Sequence, residues 1–241
     1  MMYLRRNNER GHARFDWLES RHSFSFASYY DPAHMGVSVL RVINDDIVAP
    51  GAGFDAHPHR DMEIISYVLQ GSIEHRDTLG SHRKLSAGEV QVMSAGTGVE
   101  HSEYNVSEHD SLHFLQIWIT PNAKGLTPRY QQQPFEPTPG LQLLIAPADD
   151  KTGADNANTD ADVLSINQDA RMYRVQLDGQ DLELPQRPNR VYYLHVIEGQ
   201  VSLQGETLKA GDAAAVNTKQ DAPLVLSGAQ SLHALLFDLP A

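Results

Sequence analysis

Short apolar runs broken by turn residues dominate the chain. Val37-Ser-Val-Leu-Arg-Val-Ile43, Glu63-Ile-Ile-Ser-Tyr-Val-Leu69, Val90-Gln-Val-Met93 and Leu112-His-Phe-Leu-Gln-Ile-Trp-Ile119 are four to eight residues long and rich in β-branched and aromatic types. Each is bounded by Gly, Pro, Asn or Asp, which reads as a strand between turns. Dipeptides such as Gln70-Gly71, Ala87-Gly88 and Pro121-Asn122 punctuate the runs at intervals of roughly ten residues, the spacing of an all-β sandwich or barrel. No segment keeps a helical period beyond two or three turns.

The runs also repeat. Tyr67-Val-Leu-Gln-Gly-Ser-Ile-Glu-His75 followed by Leu85-Ser-Ala-Gly-Glu-Val-Gln-Val-Met93 is echoed by His195-Val-Ile-Glu-Gly-Gln-Val-Ser-Leu203 and Leu208-Lys-Ala-Gly-Asp-Ala-Ala-Ala-Val216. A strand, a glycine turn, a second strand and a Leu-x-Ala-Gly-acidic turn recur, which predicts two β-barrels of common ancestry. Residues 146–162 are polar and lack large apolar side chains, as a solvated loop between the halves would be. Their Asp and Asn density has neither the turn glycine nor the closing glutamate of a calcium loop. The expected organisation is an N-terminal domain over 1–130, a linker over 131–162 and a C-terminal domain over 163–241.

Composition narrows the function. Against 31 acidic residues stand 19 Lys plus Arg, a net charge of −12, so the chain has no basic face with which to neutralise nucleic-acid phosphates. No run approaches the ~18 apolar residues of a membrane span. Arg5-Arg6 is followed by polar Asn7-Asn8-Glu9-Arg10 and not by the apolar core of an export signal. The absence of cysteine removes thiolate metal sites and thiol nucleophiles. A cytoplasmic location is expected. Histidine is the anomaly, with 12 in the chain and several between His57 and His113.

Two of these form Gly51-Ala-Gly-Phe-Asp-Ala-His57-Pro-His59. On an extended strand residues two apart share a face, so both imidazoles point the same way. Gly96-Thr-Gly-Val-Glu-His101-Ser-Glu103 offers a second such pair, an imidazole and a carboxylate. Adjacent strands carrying the two pairs would assemble three histidines and one glutamate. That donor set, free of sulfur, suits Fe(II), Mn, Co, Ni, Cu or Zn and leaves coordination positions open.

Gly51-x5-His57-x-His59, with Gly71 closing the next strand, resembles the first cupin motif; Gly88 with Gly98-x2-His101-x3-Asn105 resembles the second. The longer strings His57-Pro-His-Arg-Asp-Met-Glu-Ile-Ile-Ser-Tyr67 and Ser94-Ala-Gly-Thr-Gly-Val-Glu-His-Ser-Glu103, with His22-Ser-Phe-Ser-Phe26 and Tyr29-Tyr-Asp31, resemble the pirin family. Within it they are most similar to bacterial pirin-like proteins with quercetin 2,3-dioxygenase activity. The likeness is strong to about Tyr130 and weaker beyond. It implies a bicupin, two cupin barrels in tandem, with one divalent metal, Fe(II) foremost, held in the N-terminal barrel by His57, His59, His101 and Glu103. It further implies oxygen-dependent cleavage of a flavonol to a depside and carbon monoxide, with Glu103 doubling as the base. A non-enzymatic, metal-binding regulatory role with a protein partner, or another metal-cupin activity, is the alternative.

The chain departs from the general cupin pattern twice. Ile64 stands where the usual motif glutamate would, and Glu63, one place early, faces the other way on a strand and is read as structural. Ser94-Ala95 replaces the usual proline of the second motif. His195 and His233 lack i, i+2 partners, so no metal is expected in the second barrel. His75, His82, His109 and His113 are read as hydrogen-bonded or exposed. Phe24, Phe26, Tyr29 and Tyr30 are expected in the core or across the barrel mouth.

Overall fold

A computed structural model describes residues 2–149, 163–217 and 223–241. The polar segment expected at 146–162 lies mostly outside them. The described residues hold strands, turns and one short 3-10 helix at Asn7–Glu9, so the all-β expectation holds. No helix among them is long and apolar enough to cross a membrane.

In chain order the strands of the first half are Tyr3–Arg5 (β1), Gly11–Arg14 (β2), Leu18–His22 (β3), Leu40–Val48 (β4), Gly53–His59 (β5), Glu63–Gln70 (β6), Ser72–Asp77 (β7), His82–Ser86 (β8), Glu89–Ser94 (β9), Val99–Asn105 (β10), Leu112–Ile119 (β11) and Arg129–Pro134 (β12). Then come Gly140–Pro147 (β13), Leu164–Ile166 (β14), Arg171–Leu177 (β15), Leu182–Glu183 (β16), Arg190–Leu203 (β17), Glu206–Lys209 (β18), Ala213–Asn217 (β19) and Val225–Pro240 (β20).

The chain forms two compact units, Gly11–Glu136 with Leu164–Gln168, and Met1–Arg10 with Pro137–Val163 and Asp169–Ala241. This differs from the expected boundaries at both ends of the first domain. The first ten residues join the second unit because Tyr3, Leu4 and Arg5 pair antiparallel with Ala215, Ala214 and Ala213. Residues 164–168 join the first, where the Ser165 carbonyl accepts from Arg129 and Gln131. Both pairings are remote in sequence, so no local pattern signals them.

The first unit has a sheet of order β12-β9-β6-β11-β4-β3-β2 and a smaller one of order β5-β10-β7-β8, all antiparallel. Alternate residues face inward and form layers. Leu18, Val48, Val68 and Phe114 of the larger sheet meet Ile73 and Leu85 of the smaller in one apolar cluster. Ile64, Met93 and Val99 form another, with Trp118 against it. Between them, in direct cross-strand register, run His22, Asn44, Gln116, Ser66 and Gln91, a polar row across five strands. In the second unit β19, β17, β20, β15 and β13 are neighbours, and the equivalent inner faces pack into one continuous apolar cluster.

The run predicted from Val37 starts later and ends later. Val37 and Leu40 close a tight turn through Ser38, whose φ is +53°, and the strand then continues past Ile43 through Asn44-Asp45-Asp46 to Val48.

Candidate metal centre

β5 and β10 pair with His57 opposite His101 and His59 opposite Val99, so all three imidazoles share the inner face. The register then shifts: Glu103 stands opposite Phe54, leaving β5 one residue longer over this stretch. Such a bulge resets the inward–outward alternation. Phe54 therefore turns into the cavity while Asp55 stays exposed, its carboxylate accepting from the Tyr104 hydroxyl. Glycine is required here, because a Cβ on Gly53 would sit 2.4 Å from the Glu103 carbonyl oxygen. At the turn before β10, Gly96 has φ +46° and a Cβ would lie 2.0 Å from the Leu126 carbonyl oxygen.

One ring nitrogen from each of His57, His59 and His101 lies within 4.8 Å of the other two. His57 Nδ1 is 2.7 Å from the Asp55 carbonyl oxygen and donates to it, which leaves Nε2 as the lone-pair nitrogen. Burial, then the neighbouring His101 and His57, lower the His59 pKa to about 4. Burial, then His57 and His75, lower that of His101 to about 3. Both rings are neutral at physiological pH, the state that ligates metals. The Nε2 of His101 is buried without a hydrogen-bond partner among the described residues. An orphaned imidazole nitrogen in a histidine cluster fits a cation and costs stability without one.

Glu103 is not part of that triad. Its carboxylate groups instead with His75 and His101, again within 4.8 Å. Ser66 Oγ donates to one oxygen at 2.9 Å and Gln116 Nε2 to the other at 2.7 Å. The polar row thus grips Glu103 from the opposite sheet. Of the four residues singled out by spacing, the structure brings three together and holds the fourth beside them.

The sequence reads His75 as hydrogen-bonded or exposed, and not as support for a neighbouring histidine. It is fully buried, and its Nε2 lies 2.9 Å from Asp77 Oδ2 while its Nδ1 lies 3.5 Å from Nδ1 of His101. Burial pushes the Asp77 carboxyl up, but hydrogen bonds from His75 and Ser81 outweigh it and hold it below the usual carboxylate range. With Asp77 accepting from His75, the chain is satisfied when His101 donates through Nδ1, and this orients Nε2 as a lone pair. A carboxylate behind a ligating histidine fixes its tautomer in this way. Only the cross-strand pairing of His75 with Glu103 and of Asp77 with His101 reveals the arrangement.

The other expectations resolve individually. Glu63 accepts from Ser94 Oγ at 2.6 Å and from Asn167 Nδ2 at 2.8 Å, a structural role. His82 pairs with Glu74, His113 with Asp45, and His109 is exposed. Phe24 is buried and Tyr30 exposed. Phe26 stands edge-on to Trp118, with ring centres 5.3 Å apart, and lines the cavity.

His57 and His59 border two adjoining hollows. The outer, about 590 Å³, is walled by Trp17, Phe26, Phe54 and Trp118. The inner, about 170 Å³, adds Leu18, Glu103 and Gln116. Planar aromatic walls beside a histidine cluster suit an aromatic ligand that reaches a metal.

Comparison with known proteins identifies the chain's relatives. The Pirin family model matches residues 4–119, and the model described as the quercetinase C-terminal cupin domain matches residues 156–239. A protein of Escherichia coli K12 named quercetin 2,3-dioxygenase is 46% identical, the match covering 100% of this chain and 99% of that protein. A pirin-like protein of Caulobacter vibrioides is 40% identical over 95% of each. The crystal structure of the bacterial pirin YhhW from Escherichia coli in complex with nickel(II) superposes with a TM-score of 0.90 at 44% identity, covering 100% of this chain and 99% of that one. With full-length relatives at this identity and two cupin units on the page, the chain belongs to the pirin family.

Proposed function

We propose that this protein is a metal-dependent dioxygenase that cleaves a quercetin-like flavonol with O2, and that His57, His59 and His101 hold the metal with Glu103 as the fourth donor. The observation that carries the reading is the buried Nε2 of His101, without a hydrogen-bond partner among the described residues, in a cluster whose other members, His57 and His59, line an aromatic-walled cavity. The family relatives named for this activity support it. The donor set accepts several first-row metals, and iron(II) is the one proposed, since histidine and carboxylate donors with open positions suit non-haem iron oxygenases. A cytoplasmic location is part of the same proposal.

When bound, the metal supplies Lewis-acid activation of the flavonol 3-hydroxyl and a centre for oxygen chemistry. The chain does the rest. Trp118, Phe26 and Phe54 orient the planar rings and exclude water. Glu103 takes the hydroxyl proton onto a carboxylate oxygen, and Ser66 and Gln116 hold that carboxylate in place from behind. A carboxylate held by two donors need not leave its position to act as base.

The test is aerobic incubation of metal-loaded protein with quercetin, following flavonol loss and carbon monoxide together. The expected result is coupled loss and release, abolished by metal removal and by His101→Ala. A stoichiometrically loaded protein that leaves quercetin intact would overturn the reading.

A further inference from the structure

Asn44 and Asp46 are consecutive inward residues of β4, in the strand segment whose composition signals a turn. Ser20 and His22 face them from β3, in direct register with Asp46 and Asn44. All four line the inner hollow that also contains His57, His59 and Glu103. Between them, Asp45 faces outward and pairs with His113.

Asn44 and Asp46 are each about 3% exposed, and Oδ1 of both is buried without a hydrogen-bond partner among the described residues. The Ser20 hydroxyl is close enough to the Asp46 carboxyl to lower its pKa, yet neither Oδ1 has a partner of its own among the described residues, and buried acceptors left short are costly and rarely kept without a use. The rest of the hollow offers Phe15, Leu18, Phe26, Phe54 and Trp118. Acceptors at one end of an aromatic chamber ask for a ligand with an aromatic body and a hydroxyl to donate.

We propose that Asn44 and Asp46 form a hydroxyl-recognition subsite that holds a ring hydroxyl of the aromatic substrate at the wall formed by β3 and β4. The proposal rests on the flavonol reading and deepens it: the substrate carries a second hydroxyl-bearing end beyond the hydroxyl placed at the histidines. Burial favours the neutral carboxyl at Asp46, which keeps an acceptor oxygen in either state.

The test compares quercetin with 3-hydroxyflavone, which lacks every hydroxyl but the one at position 3, by calorimetric binding to metal-loaded protein without oxygen. Wild type should bind quercetin about tenfold more tightly, the worth of one or two hydrogen bonds. Asn44→Leu and Asp46→Leu should each narrow that ratio and the double variant bring it near one, while Asp46→Asn, which keeps an acceptor, retains it. Should a leucine variant fail to fold, Asn44→Ala and Asp46→Ala read the same ratio. An unchanged ratio in a folded double variant overturns the subsite. Tight, variant-sensitive binding with no aerobic turnover upholds the subsite and overturns the dioxygenase reading, and binding of neither flavonol overturns both.

Discussion

The two units differ most instructively in a single layer of side chains. Across β9, β6, β11, β4 and β3 the first unit places Gln91, Ser66, Gln116, Asn44 and His22 in cross-strand register. Across β19, β17, β20, β15 and β13 the second places Ala214, Leu194, Leu236, Tyr173 and Leu143, equally in register and all in its apolar cluster. Antiparallel sheets tolerate both because the backbone ladder is indifferent to what the inner face carries. The consequences diverge. In the second unit the layer completes a continuous core. In the first it separates two apolar clusters, leaves the buried Asn44 Oδ1 without a partner among the described residues and grips Glu103. The first interior gives up packing for a place where a cation and a polar ligand are welcome.

The sharpest way to break this comparison is at the histidines. His101→Ala should abolish stoichiometric metal binding, whereas His195→Ala in the second unit should leave it at the wild-type value, as measured by metal analysis after gel filtration. Next comes the buried layer itself. Leu194→Ser should cost about 3 kcal/mol in denaturant unfolding, from a lost apolar side chain and a buried hydroxyl. Ser66→Ala, in register with Gln116 of the polar row, should cost about 1 kcal/mol. Equal costs would deny that the layers differ in kind.

Asp77→Asn should weaken metal binding by about 10- to 100-fold while leaving the three ligands in place, because His75 would no longer fix the His101 tautomer. Competition with a chelator measures it, and unchanged affinity would remove Asp77 and His75 from the account.

The last effect is one of pH. Burial raises the Asp46 carboxyl to about 7, with the Ser20 hydroxyl drawing it back and Asp45 and Glu103 adding to it. A carboxyl raised in the folded state contributes stability that is fully present below about pH 3.8 and is lost as pH rises through about 7. His59 and His101 act in the opposite sense, their depressed values costing stability as pH falls from 6.5 toward about 4 and about 3. In metal-free protein, Asp46→Asn should therefore raise stability at pH 8 relative to pH 5 by about 1–3 kcal/mol. A variant with the wild-type pH profile would contradict the raised carboxyl.

How much of this the sequence announces depends on how far apart the partners are. His57 and His59, and His101 and Glu103, are legible because two-residue spacing on a strand fixes a common face. Phe54 is not, because the bulge that turns it inward shows only against its neighbour β10. The His75–Asp77 support for His101 is likewise a matter of register. Asn44-Asp45-Asp46 reads as a turn because polar residues at core positions break the pattern of a strand. Such breaks concentrate where a protein gives up stability for function. The pairing of residues 3–5 with 213–215 is remote enough to escape any local reading.

The central claim is that the polar-layered unit alone holds a metal, through its histidines. Its most direct test is metal stoichiometry by elemental analysis of the loaded wild type beside His57→Ala, His101→Ala and a His195→Ala/His233→Ala double variant. The account predicts one metal per chain in wild type and in the double variant, and none in the two single variants. A full equivalent retained by folded His101→Ala, or lost from the folded double variant, would contradict it.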